Sequence, residues 1–155
     1  MMIFCSDQLR QKVVFTNRVV KLFKKHQQTN AKSKEAGGQL FASFEKDSVI
    51  IMDASEPNRQ DIRGKYFFHP NRDRERQDIN IFFKKGLHYV GDWHTHFEPA
   101  PNPSDKDKET IRDCFIKSDH KLDNFILVVV GTACFPEGLS VSIHNDKTYL
   151  FLHNV

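Results

Sequence analysis

The chain has 155 residues, enough for one domain over residues 1–155 that buries its own core without staples. It is 39% hydrophobic and 28% charged with a formal net charge of +3, too weakly basic to imply a nucleic-acid partner. Three scattered cysteines, Cys5, Cys114 and Cys134, rule against a disulfide framework or a Cys-rich zinc site and fit a reducing cytoplasm.

The N-terminal segment MMIFCSDQLRQKVVF has no long apolar stretch of the signal-peptide kind. Ser6 is placed to cap a helix from Asp7, with Leu9, Val13, Val20 and Phe23 at roughly helical spacing as far as about Gln28. Thr29 to Lys34 reads as a loop. Gly38 to Phe44 and Ser48 to Ala54 read as a hairpin about Glu45, Lys46 and Asp47. Glu56 to Gln60 is turn-like, and Lys65 to His69 is a further strand stopped by Pro70. Residues 71–85 predict a helix ended by Gly86, followed by a strand from His88 to Trp93. Phe97 to Pro103 holds three prolines and is irregular. Ser104 then opens a helix to about Ser118. Phe125 to Thr132 is almost wholly apolar, as a strand buried on both faces requires. The apolar run from Phe125 to Val130 is too short to cross a membrane. Leu139 to His144 and Lys147 to Leu152 are two more strands, turning at Asn145 and Asp146. The interleaving predicts one α/β domain with a mixed, curved β-sheet flanked by helices. The 14 phenylalanines are expected mainly in its core.

The chemistry concentrates in GDWHTHFEPAPNPSDKDKE. His94 and His96 are two apart at the end of a predicted strand, so both imidazoles leave the same face. Asp107 lies in the first turn of the next helix, and the proline-rich loop bends the chain back towards them. Two imidazole nitrogens and one carboxylate oxygen make a three-ligand zinc site with a fourth position for water. Hydrolysis also needs a base near the metal but not bound to it, and Glu35, just ahead of Gly37-Gly38, is the candidate. Ser104 is the candidate donor for an oxyanion.

His94, His96, Ser104 and Asp107 stand in the register of the JAMM signature, and EAGGQLFA resembles the upstream glutamate segment of the JAB/MPN metalloprotease family. The resemblance implies that fold over most of the chain, one Zn2+ on His94, His96 and Asp107, Glu35 as acid and base, and Ser104 as oxyanion donor. Two departures are visible: Phe97 stands where the family often has Pro, and Ala42 where it often has Gly. GDWHTH is most similar to compact bacterial members, including isopeptidases of CBASS-type antiviral operons. That likeness implies cleavage of an amide after the C-terminus of a conjugated protein, with ubiquitin-transfer-like enzymes and a cGAS-like nucleotidyltransferase as partners. Related domains act on ubiquitin-like sulfur carriers or small peptides, and others are metal-free scaffolds, which typically lack the ligands kept here.

Other residues read as structural. Trp93 is expected in the core, Asp92 pointing away from His94 and not a ligand, Glu98 at the rim, and Cys114 buried rather than nucleophilic. Phe97 and its loop are candidates for lining a groove for an extended tail. A zinc deaminase is excluded because its HxE and PCxxC signatures are missing. A full metal-hydrolase barrel of the (β/α)8 type needs more residues than 155.

Overall fold

A computed structural model describes residues 1–155. In chain order the elements are β1 (Met2–Ser6), β2 (Leu9–Phe15), α1 (Asn17–His26), β3 (Gly37–Glu45), β4 (Ser48–Ala54), β5 (Ile62–Arg63), β6 (Phe68–His69), α2 (Arg72–Lys84), β7 (His88–Thr95), α3 (Asp105–Lys117), β8 (Phe125–Val130), β9 (Leu139–His144) and β10 (Tyr149–Asn154). Eight strands close into a barrel in the order β1-β10-β9-β8-β7-β3-β4-β2. The pairs β2/β4 and β7/β8 are parallel and the others antiparallel, so the sheet is mixed as its sequence predicts. It differs from the flanked, curved sheet in closing on itself, which leaves no unpaired edge strand. No helix is long and apolar enough to cross a membrane.

Closure explains the main error in the sequence reading. Residues 7–28 are not one helix: β1 and β2 pair with each other, and only Asn17–His26 is helical. Ser6 caps nothing; its Oγ accepts from Gln8 N–H at 3.2 Å within the β1–β2 turn. Leu9, Val13, Val14 and Phe15 suit either period locally. The deciding partners, β4 and β10, lie far along the chain. Strand β10 also starts two residues later than expected, because Asn145 Oδ1 accepts from Lys147 and Thr148 N–H at 2.9 Å and extends the turn. Of the expected strand Lys65 to His69 only Phe68–His69 is extended, paired with the unforeseen Ile62–Arg63.

Strand β8 is buried on both faces. Ile126, Val128 and Val130 enter the barrel core, while Phe125, Leu127 and Val129 pack outward with Ile111 of α3. Helix α1 sends Val19 and Phe23 into the barrel core, where Phe23 meets the Trp93 ring at 5.3 Å. Only five of the 14 phenylalanines are buried: Phe4, Phe15, Phe23, Phe41 and Phe125. Five others are exposed, Phe67 and Phe97 among them at the mouth of a cleft.

Candidate metal centre

Strand β7 places the centre. Gly91 adopts φ +148°, and a Cβ there would lie 1.8 Å from the Ile126 carbonyl oxygen, so only glycine fits. A bulge against β3 occurs at this point. Beyond it Trp93 faces the core, its Nε1 donating to the Ser55 carbonyl at 2.9 Å. Asp92 and His94 pair with Leu127 and Val129 of β8, whose side chains point outward. Asp92 therefore shares the outer face with His94, contrary to the sequence reading. Two-residue alternation along β7 requires this. Its carboxylate is engaged elsewhere: Tyr89 Oη donates to it at 2.9 Å. Burial, then the Glu75 charge, pushes Asp92 up to about 7. Burial, then the Asp92 charge, pushes the Cys114 thiol up to about 12, which leaves it unreactive as a nucleophile.

The proline-rich loop returns along the β8–β9 connection. Thr132 N–H donates to the Glu98 carbonyl at 2.8 Å and Ala133 N–H to that of Pro99 at 3.2 Å. This seats Ser104 as N-cap of α3. A capping box follows, in which Asp107 N–H donates to Ser104 Oγ at 3.0 Å and Ser104 N–H to Asp107 Oδ2 at 2.8 Å. The box aims the carboxylate. Asp107 Oδ2 lies 3.1 Å from His94 Nε2 and 3.2 Å from His96 Nε2, and the two Nε2 atoms are 3.1 Å apart.

Three donor atoms thus form a nearly equilateral triangle. A tetrahedral ion with bonds of about 2.0–2.1 Å needs ligand spacings only slightly longer. Glu98, expected at the rim, is part of this arrangement: His96 Nδ1 donates to its Oε1 at 2.8 Å. With its proton on Nδ1, His96 turns the Nε2 lone pair towards a second imidazole nitrogen and a carboxylate oxygen. A cation between them resolves that crowding of acceptors, so the residues fit a divalent metal. The pair Glu98 and His96, two apart beyond a strand end, is the signal that could have revealed this contact. Burial disfavours the charged form of His96, but the hydrogen bonds and charge of Asp107, with Glu98, outweigh it and raise its pKa. Burial opposes ionisation of Asp107 as well, yet both imidazoles hold it far below the usual carboxylate range.

Glu35 faces the same cleft without joining the ligand triangle. It is buried, and burial raises its pKa against the opposing pull of His94 and His96. The next residue is held to β7: Ala36 N–H donates to Thr95 Oγ1 and Thr95 N–H to the Ala36 carbonyl, both at 2.9 Å. The cleft encloses about 950 Å³, and Tyr66, Phe67, Phe97, Arg72 and Glu75 are among the residues that line it.

Residues 17–143 match the family of prokaryotic homologs of the JAB domain. The chain belongs to that family. Relatives of this JAB domain include proteins named CD-NTase/cGAS isopeptidase. The one from Escherichia coli is 31% identical over 63% of this chain and 65% of its own length. That from Enterobacter hormaechei is 28% identical over 63% of this chain and 55% of its own length. The matches thus span somewhat under two thirds of these two relatives. One from Pseudomonas aeruginosa is 27% identical over 86% of this chain and 87% of its own length. Protein DSY2949 from Desulfitobacterium hafniense, solved in solution, shares the fold at a TM-score of 0.63 and 15% identity, covering 90% of this chain and 88% of its own.

Proposed function

We propose that this JAB domain is a zinc-dependent isopeptidase that hydrolyses the amide joining the C-terminus of a conjugated protein to an amine. The observation that carries the reading is the triangle of His94, His96 and Asp107 donor atoms, 3.1–3.2 Å on a side, with buried Glu35 on the same cleft. The names of the relatives support a nucleotidyltransferase of the CD-NTase/cGAS class as the conjugated protein. Bacterial antiviral defence in the cytoplasm, beside ubiquitin-transfer-like enzymes, is the setting this substrate implies.

His94, His96 and Asp107 would hold the zinc. When bound, zinc supplies Lewis acidity, which acidifies water and polarises an amide carbonyl. Glu35, its carboxylate made more basic by burial, takes the proton from the attacking water. Ser104 Oγ already accepts from Asp107 N–H, so its own hydroxyl hydrogen is free to donate to the developing oxyanion. Glu35 then passes its proton to the departing amine, and carboxylate and amine products separate. Exposed Tyr66, Phe67 and Phe97 offer an apolar lip to an extended C-terminal tail.

The test is metal content of the purified protein with cleavage of an amide-linked C-terminal fusion, with and without chelator. About one zinc per chain and chelator-sensitive cleavage are expected. Glu35→Gln should keep zinc and lose activity by about 10²–10⁴-fold, while His94→Ala should lose both. Folded protein with neither zinc nor cleavage would refute the enzyme and favour a scaffold. Cleavage of free peptides but not of the fusion would favour a peptidase of smaller substrates.

A further inference from the structure

The main chain of Glu35 is held from outside the barrel. Its N–H donates to the Gly64 carbonyl at 2.8 Å, and its carbonyl accepts from Arg63 Nε at 2.7 Å. Both polar groups of the residue thus go to two consecutive positions at the end of β5. That strand belongs to the small β5–β6 hairpin, closed by Gly64 N–H on the Phe67 carbonyl at 3.0 Å. Phe68 of β6 rests on Gly37, where an added Cβ would lie 2.7 Å from the ring. Ala36, between the two contacts, is fixed to Thr95 between the two histidines. Glu35 is therefore located by two supports: β7 holds its neighbour, and the hairpin holds the residue itself.

The guanidinium of Arg63 is directed at a backbone carbonyl, a charge-assisted bond stronger than a neutral one. Main-chain rotation at residue 35 would swing the carboxylate across the cleft, and proton transfer tolerates little displacement. We infer that Arg63 is a positioning residue for the reaction: it fixes the main chain of Glu35 so that the carboxylate meets water and departing amine in the right geometry. The inference rests on the reading of Glu35 as the base. It assigns Arg63 an effect on turnover, not on metal binding or on the grip on the substrate.

The experiment compares Arg63→Ala, Arg63→Lys and Ile62→Ala with wild-type enzyme loaded with zinc, on the amide-linked fusion. Ile62 is an exposed neighbour on the same hairpin and makes no bond to Glu35. Arg63→Ala should lower kcat about 10–100-fold, with KM and zinc content as in wild type and the protein folded at the assay temperature. Arg63→Lys, which restores one cationic donor, should recover part of kcat, and Ile62→Ala should leave kcat alone. Unchanged kcat in Arg63→Ala would overturn the inference. So would a loss shared by Ile62→Ala, or one appearing as raised KM, lost zinc or unfolding at the assay temperature, because Arg63 would then only brace the hairpin. The two readings fail separately. A fully active Glu35→Gln removes the base and this inference with it, whereas an inactive Glu35→Gln beside a fully active Arg63→Ala removes the role of Arg63 alone.

Discussion

Glu98 is the sharpest test of how the centre is built, because it touches the triangle through one atom only. Its Oε1 accepts from His96 Nδ1 at 2.8 Å, which sets the tautomer and stops the ring from turning. Removing such a partner weakens metal binding about 10–100-fold, or about 1.4–2.7 kcal/mol. The Glu98 side chain is 49% exposed, so water replaces part of the bond. Glu98→Ala should therefore sit near the lower end, about tenfold and about 1.4 kcal/mol. Glu98→Gln keeps an acceptor oxygen and should stay within about threefold of wild type. Zinc titration against a chromophoric chelator of known affinity at neutral pH measures both. An alanine variant that binds zinc as tightly as wild type would falsify the assignment and return Glu98 to the rim.

Three further outcomes follow from the same contacts. Ser104→Ala removes the cap on Asp107 N–H, which should cost about 1 kcal/mol and lower Tm by about 2–4 °C. It should also lower kcat about 10²–10³-fold; Ser104→Gly, a tolerable cap without a hydroxyl, should keep most of the Tm and still lose kcat, and full activity in either would remove the oxyanion role. His144 is buried beside Ser142, and burial, then the Lys108 charge, lowers its pKa to about 4. Below its ordinary value the unfolded chain binds the extra proton, so stability should fall as pH drops from about 6.5 to about 4. His144→Gln should shrink that acid loss, and urea midpoints with an undiminished loss would exclude His144 as its source. Phe97→Pro reshapes the exposed lip of the cleft and should change KM for the tailed fusion; unchanged rate and selectivity would take Phe97 out of substrate binding.

What the sequence determined by itself is what short-range geometry dictates. A strand alternates every two residues, so His94 and His96 had to leave one face. A helix start closes over three, so Ser104 and Asp107 had to form their reciprocal cap. The wholly apolar run of β8 could only be a strand covered on both sides. Tertiary structure decided the rest, because the deciding partners are remote in the chain. The N-terminal residues became strands when β4 and β10 offered hydrogen bonds that helical spacing could not reveal. The β5–β6 hairpin is two residues per strand, too short for any periodic signal, yet it holds Glu35. The return of the proline-rich loop along the β8–β9 connection, which brings Asp107 to the two histidines, exists only once the barrel has closed.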